Sequence, residues 1–216
     1  MFAGHVGVGL ALGSAAPRAN VALFVTAALW LDLVLWVLIL LGWESARVGA
    51  EFHTIHQPVF EFPFSHGLLA ALAWSALLAG AAALGAPAAR ARIALLMFAA
   101  ALSHWGLDAL VHTPGLPVAG AASRAVGLGL WRQLPLALAL ECALAVAGAV
   151  LFVRRAALPR ARRLALLGLT GALCAFTVAG MTLAPPPPSA TAMAAASLAT
   201  LLVVCGLFAW LGRGAP

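Results

Sequence analysis

Long apolar runs separated by short polar stretches dominate the chain. The pattern defines seven hydrophobic segments, at 2–16, 20–42, 64–86, 92–112, 132–153, 163–183 and 190–212. A helix needs about 20 apolar residues to cross the hydrocarbon core of a bilayer, and all but the first segment approach or exceed that length. The sequence therefore predicts an all-α fold, a polytopic transmembrane helix bundle of about six to seven membrane segments.

The composition excludes a soluble domain. Hydrophobic residues make up 64% of the chain and charged residues only 8%, and the mean hydropathy is +1.07, whereas soluble domains carry about 25% charged residues. The net charge of +6 comes from twelve basic residues, all of them arginine and mostly in short loops. This pattern indicates membrane topology, with the lipid bilayer as partner, and does not favour nucleic-acid binding.

The arginines also predict the orientation. If the segments alternate across the membrane, nine arginines fall on one side, namely Arg18, Arg90, Arg92, Arg154, Arg155, Arg160, Arg162, Arg163 and Arg213. Arg47, Arg124 and Arg132 fall on the other. The richer side is expected to be cytoplasmic and to carry the C-terminus, which places loops 43–63 and 113–131 outside. No basic residue precedes segment 2–16, so we expect no signal cleavage and retention of His5.

Six acidic or histidine residues of the apolar segments are expected at compatible depths, most of them toward the predicted outer side: His5, Asp32, His66, His104, Asp108 and Glu141. Ionisable groups inside a membrane segment are costly and mark functional sites by default. They must share a metal, protons or one another as partners. His104 and Asp108 are four residues apart on one helical face, about 6 Å along the axis, and both residue types are zinc ligands.

Spacing separates the remaining candidates. His112 lies two turns beyond His104, about 12 Å along the helix, so it is expected at a second metal or at the entrance to the site. His66 follows Ser65, a candidate cap for the next helix. Glu141 is expected either to orient a ligand histidine or to act as a general base.

The order of these motifs resembles a known family, the predicted inner-membrane metal-dependent hydrolases. The matching elements span residues 1–155 and are Gly4-His5, Leu31-Asp32-Leu33, Ser65-His66-Gly67 and Ser103-His104-Trp105-Gly106-Leu107-Asp108. The resemblance implies a bacterial inner-membrane location and a divalent metal, zinc by expectation, held by His5, Asp32, His66, His104 and Asp108. Two departures, Gly67 in place of serine and a single Asp32 in place of an Asp-rich motif, make a two-metal site less expected.

The resulting hypothesis is a metal-dependent hydrolase of an ester or phosphoester at the outer face. Asp32 and Glu141 are the expected catalytic carboxylates, and a lipid-like substrate could enter sideways at headgroup depth. Residues 156–216 carry no acid or histidine and are expected to be two scaffold helices beside a site domain at 1–155. The alternatives are a transporter in which Asp32, Asp108 and Glu141 relay protons or ions, and a non-catalytic membrane scaffold.

The orientation can be measured with an impermeant thiol reagent on intact cells. A cysteine introduced after Arg213 should resist labelling because that end is predicted to be cytoplasmic, whereas a cysteine at Ser45 should react. The reverse pattern would overturn the predicted orientation.

Overall fold

The computed structural model describes residues 1–50, 52–84 and 88–212 and is almost entirely helical. Its helices are α1 (Ala3–Gly13), α2 (Ala22–Ala28), α3 (Trp30–Leu40), α4 (Phe52–Ile55), α5 (Leu68–Ala83), α6 (Ala88–Val111), α7 (Leu134–Arg155), α8 (Arg160–Thr182) and α9 (Ala190–Leu211). A 3-10 turn at Leu130–Gln133 leads into α7. The long loops contain two antiparallel hairpins that the sequence did not predict, β1 (Ser45–Arg47) with β2 (Val59–Glu61), and β3 (Leu116–Pro117) with β4 (Ala125–Val126).

The number of membrane spans is lower than predicted. Among the described residues, four helices, α6 to α9, are long and apolar enough to cross a membrane. The pair α2 and α3 makes a fifth span if its 54° bend is ignored. The predicted segments 2–16 and 64–86 form helices of 11 and 16 residues, about 17 and 24 Å long, against a hydrocarbon core of about 30 Å. Six to seven full spans is therefore wrong, although the chain is a helical membrane protein.

Two sets of contacts define opposite ends of the bundle. Arg155 donates to the Ser14 hydroxyl and Asn20 donates to the Ala209 carbonyl, which joins the ends of α1, α7 and α9 at one end. At the other end Gln57 contacts Met181, so the first long loop lies against the end of α8. We call these the arginine end and the loop end. Which end faces the cytoplasm stays a prediction. Arg213, one of the nine arginines on which that prediction rests, lies outside the described residues.

Helix α1 lies deep in the bundle because its glycines admit neighbouring backbones. A Cβ atom on Gly148 would overlap the carbonyl oxygen of Gly7, and one on Gly7 would overlap the backbone of Leu144. Small residues at such crossings let membrane helices approach closely. The same packing leaves His5 on α1 completely buried, so the α1–α7 contact determines where that imidazole lies.

The α1–α7 contact predicts a stability difference between two glycines. Gly148→Ala should lower the stability of the folded protein by about 1–3 kcal/mol, since the added methyl overpacks a tight crossing. Gly206→Ala is the matched control, because a Cβ at Gly206 on α9 meets no other atom within 4 Å. Thermal unfolding in detergent measures both; equal melting temperatures would contradict backbone-to-backbone packing of α1 on α7.

Candidate metal centre

Four side chains from three parts of the fold meet near the loop end. Asp32 is in the first turn of α3, His66 precedes α5, and His104 and Asp108 lie one turn apart on α6. His66 Nε2 is 3.2 Å from His104 Nε2 and 3.6 Å from both Asp32 Oδ1 and Asp108 Oδ2. His104 Nε2 is 3.6 Å from Asp32 Oδ1 and 3.4 Å from Asp108 Oδ2.

These spacings match the edges of a metal coordination shell. Ligand atoms about 2.0–2.2 Å from a tetrahedral ion lie roughly 3.3–3.6 Å from one another, and the measured spacings run from 3.2 to 3.6 Å. Two imidazoles with two carboxylates also suit a divalent cation, because the two negative charges would be neutralised. The cluster can therefore hold a metal ion.

A carbonyl group orients the His104 ring. Its Nδ1 lies 2.7 Å from the carbonyl oxygen of Ala28. A carbonyl only accepts hydrogen bonds, so Nδ1 carries the proton and Nε2 presents a lone pair to the cluster. Ala28 is the last residue of α2, immediately before the bend at Leu29. The break between α2 and α3 thus supplies an outer partner for a ligand histidine.

The ring of His66 is oriented by a serine and a buried glutamate. Ser65 Oγ donates to Glu44 Oε2 at 2.7 Å and lies 2.8 Å from His66 Nδ1. With its own proton directed at Glu44, the hydroxyl accepts from Nδ1–H, and His66 Nε2 presents its lone pair. Glu44 Oε1 also accepts from the amides of Phe64 and Ser65, both at 2.8 Å. The expected capping of α5 by Ser65 is wrong: the cap position is Gly67.

Glu44 was missed as a site residue. It is 5% exposed, yet in the sequence it looks like one of several loop carboxylates. Glu44 and Ser65 are 21 positions apart in the chain, and the residues between them include a hairpin and have no periodicity that would connect the two. The hairpin pairing of Ser45 with Glu61 brings them together, and no local pattern in the sequence reports that pairing.

His5 contacts the other oxygen of Asp108. Its Nε2 is 3.1 Å from Asp108 Oδ1, and its ring stacks on His104 with centroids 3.6 Å apart. His5, His104 and Asp108 form a second group with metal-binding spacing beside the group of Asp32, His66 and His104. Both groups need His104 Nε2, and one nitrogen binds one ion, so they describe alternatives rather than two metals.

The α-amino group of Met1 shares that oxygen with His5. It lies 2.9 Å from Asp108 Oδ1. Burial by itself would lower the pKa of this amine, but the carboxylates of Asp108, Glu141 and Asp32 outweigh burial and raise the pKa to about 10. Both oxygens of Asp108 thus have partners: Oδ1 contacts Met1 and His5, and Oδ2 lies near His66 and His104.

Glu141 is buried on α7 and caps the start of α1. Its Oε2 accepts from the amide of Phe2 at 2.8 Å and from the amide of Gly4 at 3.5 Å. A carboxylate at this end of a helix is favourable because the free amides carry partial positive charge. Glu141 therefore positions α1, and with it His5, and it also borders the cavity beside the cluster.

His112 lies nearer to the cluster than the helical rise suggests. Its Nε2 is 3.6 Å from Asp108 Oδ2, the oxygen that also faces His104. His112 nevertheless belongs to neither group with metal-binding spacing among the described residues. Its ring packs on Trp131, with centroids 4.1 Å apart, and burial lowers the pKa of the imidazole.

A cavity of about 370 Å³ adjoins the cluster. The acidic and histidine side chains that border it are Asp32, His66, Asp108, His112 and Glu141. The rest is mostly apolar and includes residues of α8 and α9, such as Phe176 and Leu201. The last two helices, expected to be scaffold only, thus form part of the wall of the candidate site.

Comparison with protein-family models, curated proteins and solved structures finds no match to this chain. The function of the chain is therefore inferred from the geometry of the site. The structure gathers all six of the intramembrane ionisable residues around one cavity or one cluster and adds Glu44 as an outer partner.

The Glu44–Ser65–His66 chain predicts an effect on metal affinity. Glu44→Gln should weaken metal binding about 10- to 100-fold, because losing the partner of a ligand histidine has effects of this size. Glu61→Gln is the control, since Glu61 is an exposed carboxylate of the same hairpin. Competitive titration with a chromogenic chelator gives both dissociation constants; equal values would contradict a role for Glu44 in orienting His66.

Proposed function

We propose that the chain is a membrane-embedded zinc hydrolase that cleaves an ester or phosphoester at the loop end. One observation carries the proposal: two imidazole nitrogens lie 3.2 Å apart while the opposite nitrogen of each ring already donates a proton elsewhere. Two neutral imidazoles in these tautomers would face each other lone pair to lone pair, and either a shared proton or a metal ion relieves the repulsion. The two carboxylates within 3.6 Å of both nitrogens favour a divalent metal ion. The order of motifs that resembles the inner-membrane metal-dependent hydrolases supports the same conclusion.

Asp32, His66, His104 and Asp108 would hold the ion, and His5 would orient Asp108 through its second oxygen. Zinc in such a site polarises ester or phosphoryl oxygens and activates water near neutral pH. Asp32, His66 and Asp108 border the cavity, whereas His104 lies behind them. The ligand set is therefore accessible to a substrate from the cavity.

The remaining cavity groups have chemistry suited to hydrolysis. His112 and Glu141 border the cavity and are the side chains there that can accept or deliver a proton. Trp131 also borders it, and its buried Nε1 has no hydrogen-bond partner among the described residues. An indole N–H that turned toward the cavity would stabilise negative charge developing on a reacting oxygen. The apolar walls strengthen each of these interactions by excluding water.

Metal content of the purified protein tests the ligand assignment. The wild type should contain one equivalent of zinc per chain, and His104→Ala or Asp108→Ala should contain almost none, because each loses a ligand shared by the whole cluster. His112→Ala should keep at least one equivalent, since His112 lies outside the metal-binding groups. Elemental analysis by mass spectrometry measures all four proteins.

A chromogenic phosphodiester and a chromogenic carboxylic ester, both water-soluble, test turnover in the same preparations. Hydrolysis of either should require bound zinc and should fall in His112→Ala despite its full metal content. If the wild type binds no metal, the hydrolase proposal fails and the proton-relay or scaffold alternatives replace it. If His112→Ala alone empties the site while Asp108→Ala stays loaded, the ligand assignment is wrong.

A further inference from the structure

The cavity beside the metal cluster continues into the gap between the last two helices. On α8 it is lined by Phe176, Thr177, Gly180 and Met181, and on α9 by Ala196, Ser197, Thr200 and Leu201. Side chains do not fill the space between α8 and α9 along this stretch. The cavity therefore has two parts, a polar part at the cluster and a mostly apolar part between membrane-spanning helices.

The apolar part opens sideways. Phe176, Gly180 and Ala196 all border the cavity, and all three are exposed, so the cavity is open where they line it. They belong to helices that are long and apolar enough to cross a membrane, so an opening between these two helices would face lipid. Toward the loop end, Gln57, Phe60 and Phe62 of the first long loop border the cavity, and Gln57 contacts Met181.

Two polar atoms in the cavity wall have no partner among the described residues. They are Thr177 Oγ1 and Trp131 Nε1, and their residues are 6% and 4% exposed. Buried polar groups are nearly always hydrogen-bonded, so such atoms point to a missing ligand or water. An indole N–H only donates and a hydroxyl can donate. Both atoms are shielded from solvent, so a ligand with acceptor oxygens next to an apolar chain would satisfy them once the two side chains turn toward the cavity that their residues border.

We propose that this cavity binds one acyl chain of a membrane phospholipid, which enters from the bilayer between α8 and α9. The chain lies between the two helices, and the ester or phosphoester oxygens lie near Thr177, Trp131 and the cluster. This inference rests on the proposed function, because it assigns a substrate class to the same site. Hydrolysis of such a lipid adds one water across the cleaved bond and needs no other reactant.

The size and position of the cavity support a lipid chain over a water-soluble ligand. A volume of about 370 Å³ is at the small end of the range for ligand pockets, roughly 300–1,000 Å³, so it suits one chain rather than a whole two-chain lipid. An acyl chain already in the bilayer also loses no hydrophobic contact when it moves between two apolar helices. A soluble ester would gain nothing from a mouth that faces lipid.

Photolabelling of the full-length protein in phosphatidylcholine vesicles tests the inference. The vesicles contain a trace of phospholipid with a diazirine on one acyl chain, and adducts are located by peptide mass spectrometry after illumination. Adducts are expected on Thr177 and Leu201, which are buried and border the cavity. Gly180→Leu should lower labelling of these two residues about tenfold, since the added side chain would occupy space at the mouth that an acyl chain needs.

Gly171→Leu is the matched control. Gly171 and Gly180 are both exposed on α8 with no atom within 4 Å of an added Cβ, but Gly171 does not border the cavity. Equal labelling of Thr177 in Gly171→Leu and Gly180→Leu, or adducts confined to outward-facing residues, would overturn the inference. Ala196→Leu on α9 repeats the test if Gly180→Leu loses its zinc.

Labelling also separates this inference from the proposed function. His104→Ala should lose zinc and hydrolysis but keep adducts on Thr177, because the acyl part of the cavity does not include His104. Adducts on Thr177 in a wild type without zinc or hydrolysis would defeat the hydrolase proposal and leave the lipid site in place. Zinc-dependent hydrolysis of soluble esters without these adducts would support the hydrolase proposal and overturn the lipid site.

Discussion

Two carboxylates within an apolar helix bundle, Asp108 buried and Asp32 partly exposed, are the constraint on which the rest of the structure depends. Asp32 and Asp108 both lie within 3.6 Å of the same two imidazole nitrogens. Ionised carboxylates removed from water cost several kcal/mol each unless they are paired or bind a cation. Neutral imidazoles whose protons lie on the opposite nitrogens have no Nε2–H to offer these carboxylates, so the compensation comes from imidazolium protons or from a metal cation. Under the proposed function, a divalent ion at the centre would satisfy all four groups at once.

Three local structures aim the ligands at this centre, and each uses a backbone feature. The break between α2 and α3 provides the Ala28 carbonyl for His104. The first hairpin carries Glu44 to the loop before α5, where it binds two amides and the hydroxyl of Ser65. Glycine packing and the Glu141 cap hold α1 against α7. Ligands held by such outer contacts keep their geometry without the metal, which reduces the cost of binding it.

Much of this could be predicted from the sequence. The long apolar runs predicted a helical membrane protein. Charged side chains are rare within these runs, and that rarity identified the residues that meet at the site. Span number failed because an apolar run does not show where its helix ends, as in the 11 residues of α1. The helical rise from His104 did not show that His112 contacts the cluster through Asp108, one turn before it. Glu44 and Thr177 were missed because pairing and cavity shape are properties of the folded chain.

X-ray absorption at the zinc K-edge of the purified, zinc-loaded protein tests the central claim most directly. The account predicts a first shell of nitrogen and oxygen atoms only, at about 2.0–2.2 Å, with the outer-shell scattering of two imidazole rings. Replacing His66 by alanine should remove one of the two imidazole contributions, whereas replacing His112 should remove none. A shell containing sulfur, a shell of water oxygens without imidazole scattering, or an unchanged spectrum for His66→Ala would contradict the account.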